Sequence, residues 1–182
     1  SITDHCELFV AFGGIASKNG QIGQGGIGRH CQRNGVSEAA AAGVKFVNVS
    51  PLRSDVLEAA NAEWLAPRPS TDTAIMLGLA HTLLAEGLHN VEFLERHTVG
   101  FDKFAAYLRG DSDGVAKSAE WAAEISEIPA TTIRNLARRM ANSRTMLSVS
   151  WSLTRQDHGE QPFWSAITLA AMLGQIGLAG RG

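Results

Sequence analysis

Arg33-Asn-Gly-Val-Ser-Glu-Ala-Ala-Ala-Ala-Gly-Val-Lys-Phe-Val-Asn-Val-Ser-Pro51 decides the fold. Ser37 and Glu38 stand ahead of four alanines, the best helix formers, and Gly43 follows as a helix terminator. Val44 to Val49 then reads as a strand closed by Ser50-Pro51. Upstream, Leu8-Phe-Val-Ala-Phe12 is a short apolar run ended by Gly13-Gly14, the pattern of a parallel strand buried on both faces. Strand, helix and strand form a β–α–β unit, and such units are parallel with a right-handed crossover.

Downstream, Trp64 to Ala66 reads as a third, short strand before Pro67-Arg-Pro69. Ser70 or Thr71 can cap the next helix, whose apolar positions Ala74, Ile75, Leu77, Leu79, Leu83 and Leu84 keep helical spacing through Glu86. Further helices are expected over Val91–Thr98, Phe101–Leu108, Ser118–Ser126 and Thr131–Ala141, the last capped by Thr131-Thr132. A fourth strand runs from Thr145 to about Trp151, and Phe163 to Ile176 reads as a buried helix. The expected fold is therefore α/β: a Rossmann-like, mostly parallel sheet flanked by helices, with a helical insertion. Residues 1–90 form its cofactor-binding part, 91–142 the helical excursion, and 143–182 the return strand, contact loop and helix.

The chain has 182 residues and is 45% hydrophobic, enough to bury a core. Sixteen basic and eighteen acidic residues leave a formal charge of −2 with no basic block, which excludes a nucleic-acid footprint. Cys6 and Cys31 lie far apart without CxxC or His-pair spacing, so they read as packed thiols and not as a zinc or iron–sulfur site. The longest apolar run, Ala166 to Leu178, is interrupted by Thr168, Gly174, Gln175 and Gly177 and is too short to be a transmembrane segment. The chain opens at Ser1 without methionine and stops at Gly180-Arg-Gly182, so it reads as a piece of a longer protein. Lack of a signal peptide therefore says nothing about compartment.

Several segments carry candidate chemistry. Trp151-Ser-Leu-Thr-Arg-Gln-Asp-His-Gly-Glu-Gln161 sets aromatic, cationic and hydrogen-bonding groups between an apolar strand and an apolar helix, where α/β proteins place ligands. Gly23-Gln-Gly-Gly-Ile-Gly28 matches the dinucleotide fingerprint G-x-G-x-x-G, but it is set off from the end of the first strand. The second strand moreover ends in Asn48-Val49-Ser50, without the usual acid. The same glycines allow close approach of backbone amides to a phosphate, with Lys18 as a cation. Ser50 and Arg53 stand at a strand end, where open α/β sheets bind ligands. Asp72 opens a helix, where it either complements the dipole or accepts two hydrogen bonds from a guanine edge. His158 and Glu160 read as positioning groups, because no nucleophile motif accompanies them.

Taken together, Asn48-Val-Ser-Pro51, Arg68-Pro-Ser-Thr-Asp72 with the helix through His81, Trp151-Ser-Leu-Thr-Arg155, His158-Gly-Glu-Gln161 and Leu173-Gly-Gln-Ile-Gly-Leu178 resemble a known family. In order, and across essentially the whole chain, they are similar to the dimethyl-sulfoxide, trimethylamine-N-oxide and biotin-sulfoxide reductase group of the molybdopterin oxidoreductases. The resemblance implies molybdenum held by two molybdopterin guanine dinucleotides and cycling between Mo(IV) and Mo(VI), with an oxygen atom taken from an S-oxide or N-oxide and released as water. It implies that Lys18 lies near the pterin, that Val49, Ser50 and Pro51 line one dinucleotide, and that Asp72 recognises its guanine with Ser70 beside it. Trp151 and Arg155 match the segment reaching toward the pterin and the substrate funnel. No catalytic residue or metal ligand is carried over, because the family's serine ligand falls outside this stretch.

Three positions depart from the family pattern. Ser50 replaces the acid of the more frequent Ile-Asp-Pro turn, Gly13-Gly14 stand where Asn or Asp is frequent, and Gly180-Arg-Gly182 stands where Gly-Gly-Gly is usual. The implied partners are the remainder of a parent chain, the small oxide substrate, and an electron donor, either a protein or a reduced nucleotide. Relatives occur in the periplasm and in the cytoplasm of bacteria, and the resemblance assigns no compartment. Two other readings stand beside this one: an NAD-dependent oxidoreductase domain using Gly23 to Gly28, and a non-catalytic structural lobe.

Overall fold

The computed structural model describes residues 1–21 and 30–182. The Gly23–Gly28 fingerprint lies outside the described residues. After a single helical turn α1 (Ile2–His5), the chain forms β1 (Leu8–Phe12), α2 (Gln32–Ala41) and β2 (Lys45–Val49). Two 3-10 turns, Arg53–Asp55 and Glu58–Ala60, lead to β3 (Glu63–Leu65). Five helices follow: α3 (Asp72–Ala85), α4 (Val91–His97), α5 (Phe101–Arg109), α6 (Ala119–Ser126) and α7 (Ala130–Ala141). The chain then returns through β4 (Thr145–Val149), a 3-10 turn (Trp151–Thr154) and α8 (Gln161–Leu173).

The four strands form one sheet in the order β3-β2-β1-β4, and every pairing is parallel. The register is level: Phe12 pairs with Val49 on one side and with Val149 on the other. Gly13, Ser50 and Ser150 therefore leave the sheet side by side. Chain order reverses between β1 and β4, the kind of switch point that opens a crevice beyond the strands' carboxyl ends. Past the last helix, Gly182 lies against β4, donating to Thr145 O at 3.0 Å and accepting from Leu147 N at 2.8 Å.

Strand periodicity sorts the core onto two faces. Phe9, Ala11 and Phe46 pack with Ala39 of α2 and with Cys6. Leu8, Val10, Phe12, Val47 and Val49 face the larger core, built from α3, α6, α7 and α8. α3 is its centre, with Ile75, Met76, Leu79, Ala80 and Leu83 all buried, as expected of a helix apolar on every side. Each large side chain buried there contributes about 1.5–3 kcal/mol. Gly78 makes this packing possible, since a Cβ on it would come within 2.7 Å of Ala122 Cβ on α6. A helix so enclosed holds its first residue, Asp72, rigidly beneath the crevice.

Several expectations need correction. β4 stops at Val149, because Ser150 turns the chain into the 3-10 segment that carries Trp151. α7 begins after Pro129, whose fixed φ suits a helix start, and neither Thr131 nor Thr132 caps it. Thr71 occupies the N-cap position of α3, but its hydroxyl donates backward to Arg68 O at 2.6 Å and caps nothing. Cys6 is buried as expected, whereas Cys31 is exposed. No helix among the described residues is long and apolar enough to cross a membrane.

Candidate functional site

Three chain segments meet beyond the carboxyl edge of the sheet and enclose a crevice of about 280 Å³. Gly13 at the end of β1 lies beneath it. Its φ of +75° is the left-handed conformation glycine adopts freely, and a Cβ there would stand 2.8 Å from Ser150 Cβ. The Gly13 amide donates to Val49 O at 2.9 Å and the Ser150 amide to Phe12 O at 2.9 Å, so the three strand ends are stitched together.

From the segment after β2 come Ser50, Pro51 and Asp55. Ser50 is buried; its hydroxyl donates to Asp55 Oδ2 at 2.7 Å and accepts from the Leu52 amide at 3.2 Å. Its carbonyl accepts from Trp64 Nε1 at 2.8 Å, which pins the turn to β3. From the start of α3 come Ser70, at a left-handed φ of 66°, and Asp72. From the turn after β4 come Ser152, Leu153, Arg155 and Gln156.

Asp72 is the decisive group. The residue is only 4% exposed, and burial pushes its carboxyl up to about 6, opposed only by its own backbone amide. Among the described residues no side chain donates to it and no cation pairs with it. Buried carboxylates are ordinarily hydrogen-bonded or paired, so one that has no side-chain partner among the described residues and opens on a crevice can take donors from a ligand. The crevice also holds Asp55 and, as its cation, Arg155. Such a set favours a ligand rich in N–H and O–H groups that also carries an anionic part for the guanidinium.

The structure thus brings together Ser50, Pro51, Ser70, Asp72 and Arg155. Val49 lies beneath them, fully buried, with its carbonyl taken by Gly13. Lys18 is exposed in the 3-10 turn Ser17–Gln21, outside the crevice. Trp151 is 71% exposed and lines a separate apolar cavity of about 390 Å³ with Phe163 and Trp164. His158 and Glu160 also stand exposed outside the crevice. Asp55 and Gln156 are crevice residues that sequence reasoning missed. For Asp55 the available signal was an acid a few residues past a strand end whose own turn lacks one. Among the described residues no group of three His, Cys, Asp or Glu side chains is placed to hold a metal ion.

The fold and the position of its crevice define a class: an α/β lobe of Rossmann type with its ligand site at the carboxyl edge of a parallel sheet. Within that class, residues 8–182 match the family model for molybdopterin oxidoreductase. The biotin sulfoxide reductase of Cereibacter sphaeroides is 46% identical over 182 residues, covering 100% of this chain and 24% of that protein. The dimethyl sulfoxide/trimethylamine N-oxide reductase of Rhodobacter capsulatus is 45% identical over 181 residues, covering 100% and 22%. The trimethylamine-N-oxide reductase of Haemophilus influenzae is 48% identical over 142 residues, covering 78% and 17%. Acetylene hydratase from Pelobacter acetylenicus shares the fold, with a TM-score of 0.76 over 98% of this chain and 23% of its own, at 21% identity. The chain belongs to the molybdopterin oxidoreductase family, and that membership implies a molybdenum–pterin cofactor. It spans 24% of the length of the biotin sulfoxide reductase and 22% of that of the dimethyl sulfoxide/trimethylamine N-oxide reductases.

Proposed function

We propose that this chain forms part of the binding wall for a bis(molybdopterin guanine dinucleotide) in a longer oxidoreductase that reduces S-oxides or N-oxides. The observation that carries the reading is the Asp72 carboxylate, buried, without a side-chain partner among the described residues, and open to a crevice at the sheet's switch point. The sulfoxide and N-oxide reductase names of the relatives support the substrate class.

When bound, such a cofactor supplies the redox change and the oxygen-atom transfer. This chain's part is binding and orientation. Ionised Asp72 accepts from the N1 and N2 hydrogens of guanine, a geometry only a fixed carboxylate satisfies on both sides. Ser70 and Pro51 shape the walls around the base, and Val49 supports the turn from below. Arg155 offers its guanidinium fork to the anionic, pterin-bearing part. Lys18 and Trp151 are assigned to the parts of the cofactor that extend beyond the crevice. The remainder of the protein supplies the metal ligand, the substrate funnel and the docking site for an electron donor.

The test is chemical analysis of the full-length protein after expression with cofactor supply. Molybdenum is expected by elemental analysis and guanine on acid hydrolysis, both reduced more than tenfold in Asp72→Ala. Reduced viologen should be oxidised on addition of dimethyl sulfoxide or trimethylamine N-oxide. Wild-type protein free of molybdenum and guanine, or an Asp72→Ala protein fully loaded with both, overturns the reading.

A further inference from the structure

We propose that Asp55, oriented by Ser50, accepts the hydroxyls of the nucleotide's ribose, so that the crevice reads the sugar as well as the base; this rests on the reading of Asp72 as the guanine acceptor. In Rossmann-type folds an acid past the end of the second strand takes the ribose hydroxyl. Here β2 runs out into Ser50-Pro51, which offers no carboxylate. The 3-10 turn Arg53–Asp55 brings one back to the same edge, and Asp55 lines the crevice together with Ser50 and Asp72.

Asp55 is held for such a role from three directions. Its carbonyl accepts from the Ile15 amide at 2.6 Å, tying it to the end of β1. Its amide donates to Leu52 O at 3.2 Å, closing the turn. Its Oδ2 accepts from the buried Ser50 hydroxyl at 2.7 Å, while Oδ1 makes no hydrogen bond among the described residues. Ser50 is itself satisfied, since it also accepts from the Leu52 amide at 3.2 Å. It therefore acts as a positioning residue for the carboxylate.

The charge pattern selects which part of a nucleotide lies here. Carboxylates only accept, so the two acids Asp55 and Asp72 repel phosphate and attract groups that donate. A purine edge with two N–H groups and a vicinal diol with two O–H groups are such donors. A phosphate belongs instead toward Arg155, on the β4 side of the crevice.

The experiment uses the full-length protein prepared without cofactor, titrated calorimetrically with GMP, AMP and 2′,3′-dideoxy-GMP. Wild type is expected to bind GMP at least tenfold more tightly than either AMP or the dideoxy nucleotide. In Asp55→Ala, and in the isosteric Asp55→Asn, the ribose-over-dideoxyribose ratio should fall to within twofold while the preference for GMP over AMP persists. Ser50→Ala should lower the same ratio partially. A ratio unchanged in both Asp55 variants, or a wild type that binds GMP and its dideoxy analogue alike, overturns this inference and leaves the guanine site standing. A wild type with no preference for GMP over AMP overturns both.

Discussion

Gly14 and Asp55 approach so closely that a Cβ on Gly14 would stand 2.5 Å from Asp55 Cβ and 2.6 Å from its carbonyl oxygen. Gly14 also has a φ of +75°, where L side chains are strained. The glycine pair after β1 thus has a physical task on each side. Gly13 makes room for Ser150 from β4, and Gly14 makes room for Asp55 from beyond β2. With the backbone as it stands here, a side chain on Gly13 would press on Ser150 and one on Gly14 on Asp55.

Gly14→Ala is therefore expected to combine backbone strain with displacement of Asp55. The strain alone costs about 1–3 kcal/mol. We expect a lower denaturation midpoint for the full-length protein and, in the nucleotide titration, loss of ribose discrimination with guanine preference retained. A stable Gly14→Ala protein with full ribose discrimination would show that the close approach is not needed.

Asp72 sets up opposite pH dependences for stability and for ligand binding. Its carboxyl titrates near 3.8 in the unfolded chain and at about 6 in the fold, so between those values the native state holds the extra proton. Cofactor-free stability should therefore fall as pH rises from about 4 to about 6, by roughly 3 kcal/mol, and level off above. Guanine binding needs the ionised form, so GMP affinity should rise with pH over the approach to about 6 and then flatten. Asp72→Asn should abolish both slopes, raise stability at neutral pH and lose the GMP preference. Denaturant unfolding and calorimetry at several pH values measure the two trends; parallel slopes would refute the assignment.

Much of this architecture was readable from the chain because short-range rules decide it. Gly43 ends a helix, Phe9 and Ala11 alternate with Val10 and Phe12 across a pleat, and the helix expected from Ser118 forms, with the Ser118 hydroxyl accepting from the Trp121 amide at 3.2 Å. Asp72 was legible for a different reason, its place in the Arg68–Asp72 motif. The turn after β4 was harder. Trp151 extends an apolar run and reads as strand, but the Ser150 amide closes on Phe12 and the chain then tightens, so Trp151 turns toward Phe163 and Trp164 while Arg155 enters the crevice. Asp55 escaped because the local signal, an acid a few residues past the strand end, does not by itself show that the turn folds back to the sheet edge, which the contacts with Ile15 and Ser50 fix.

Lys117 is a buried staple in the helical excursion. Its side chain is 4% exposed, and its ammonium donates to Asp113 Oδ2 at 2.7 Å and to Val115 O, with the Tyr107 ring centroid 4.4 Å away. All of its hydrogen-bonding capacity is spent locally, which identifies it as structural. Lys117→Met keeps the apolar stem and removes the charge; Asp113, partly exposed, rehydrates. The expected loss is about 1–3 kcal/mol, with faster proteolysis between α5 and α6 and unchanged GMP affinity. Loss of nucleotide binding without loss of stability would contradict a purely structural role.

Gln175 fixes the beginning of the strand whose far end carries Arg155. Its buried amide accepts from the Thr145 amide at 2.9 Å, a backbone group that would otherwise be orphaned, and donates to Ser143 O at 2.9 Å, which also takes a longer bond from the Thr145 hydroxyl at 3.4 Å. Gln175→Leu preserves volume but leaves the Thr145 amide unpaired and Ser143 O with only its longer bond from the Thr145 hydroxyl, a loss of about 1–3 kcal/mol. Gln175→Glu separates the two bonds. An ionised carboxylate still accepts from Thr145 but confronts the Ser143 carbonyl, whereas a protonated one restores donor and acceptor together. The native fold then prefers the protonated acid, so its titration point lies above that in the unfolded chain and stability is lost as pH rises through that interval. Gln175→Glu should approach wild type in mild acid and Gln175→Leu levels at neutral pH. A pH-independent Gln175→Glu deficit would mean that the bond to Ser143 contributes nothing to the register of β4.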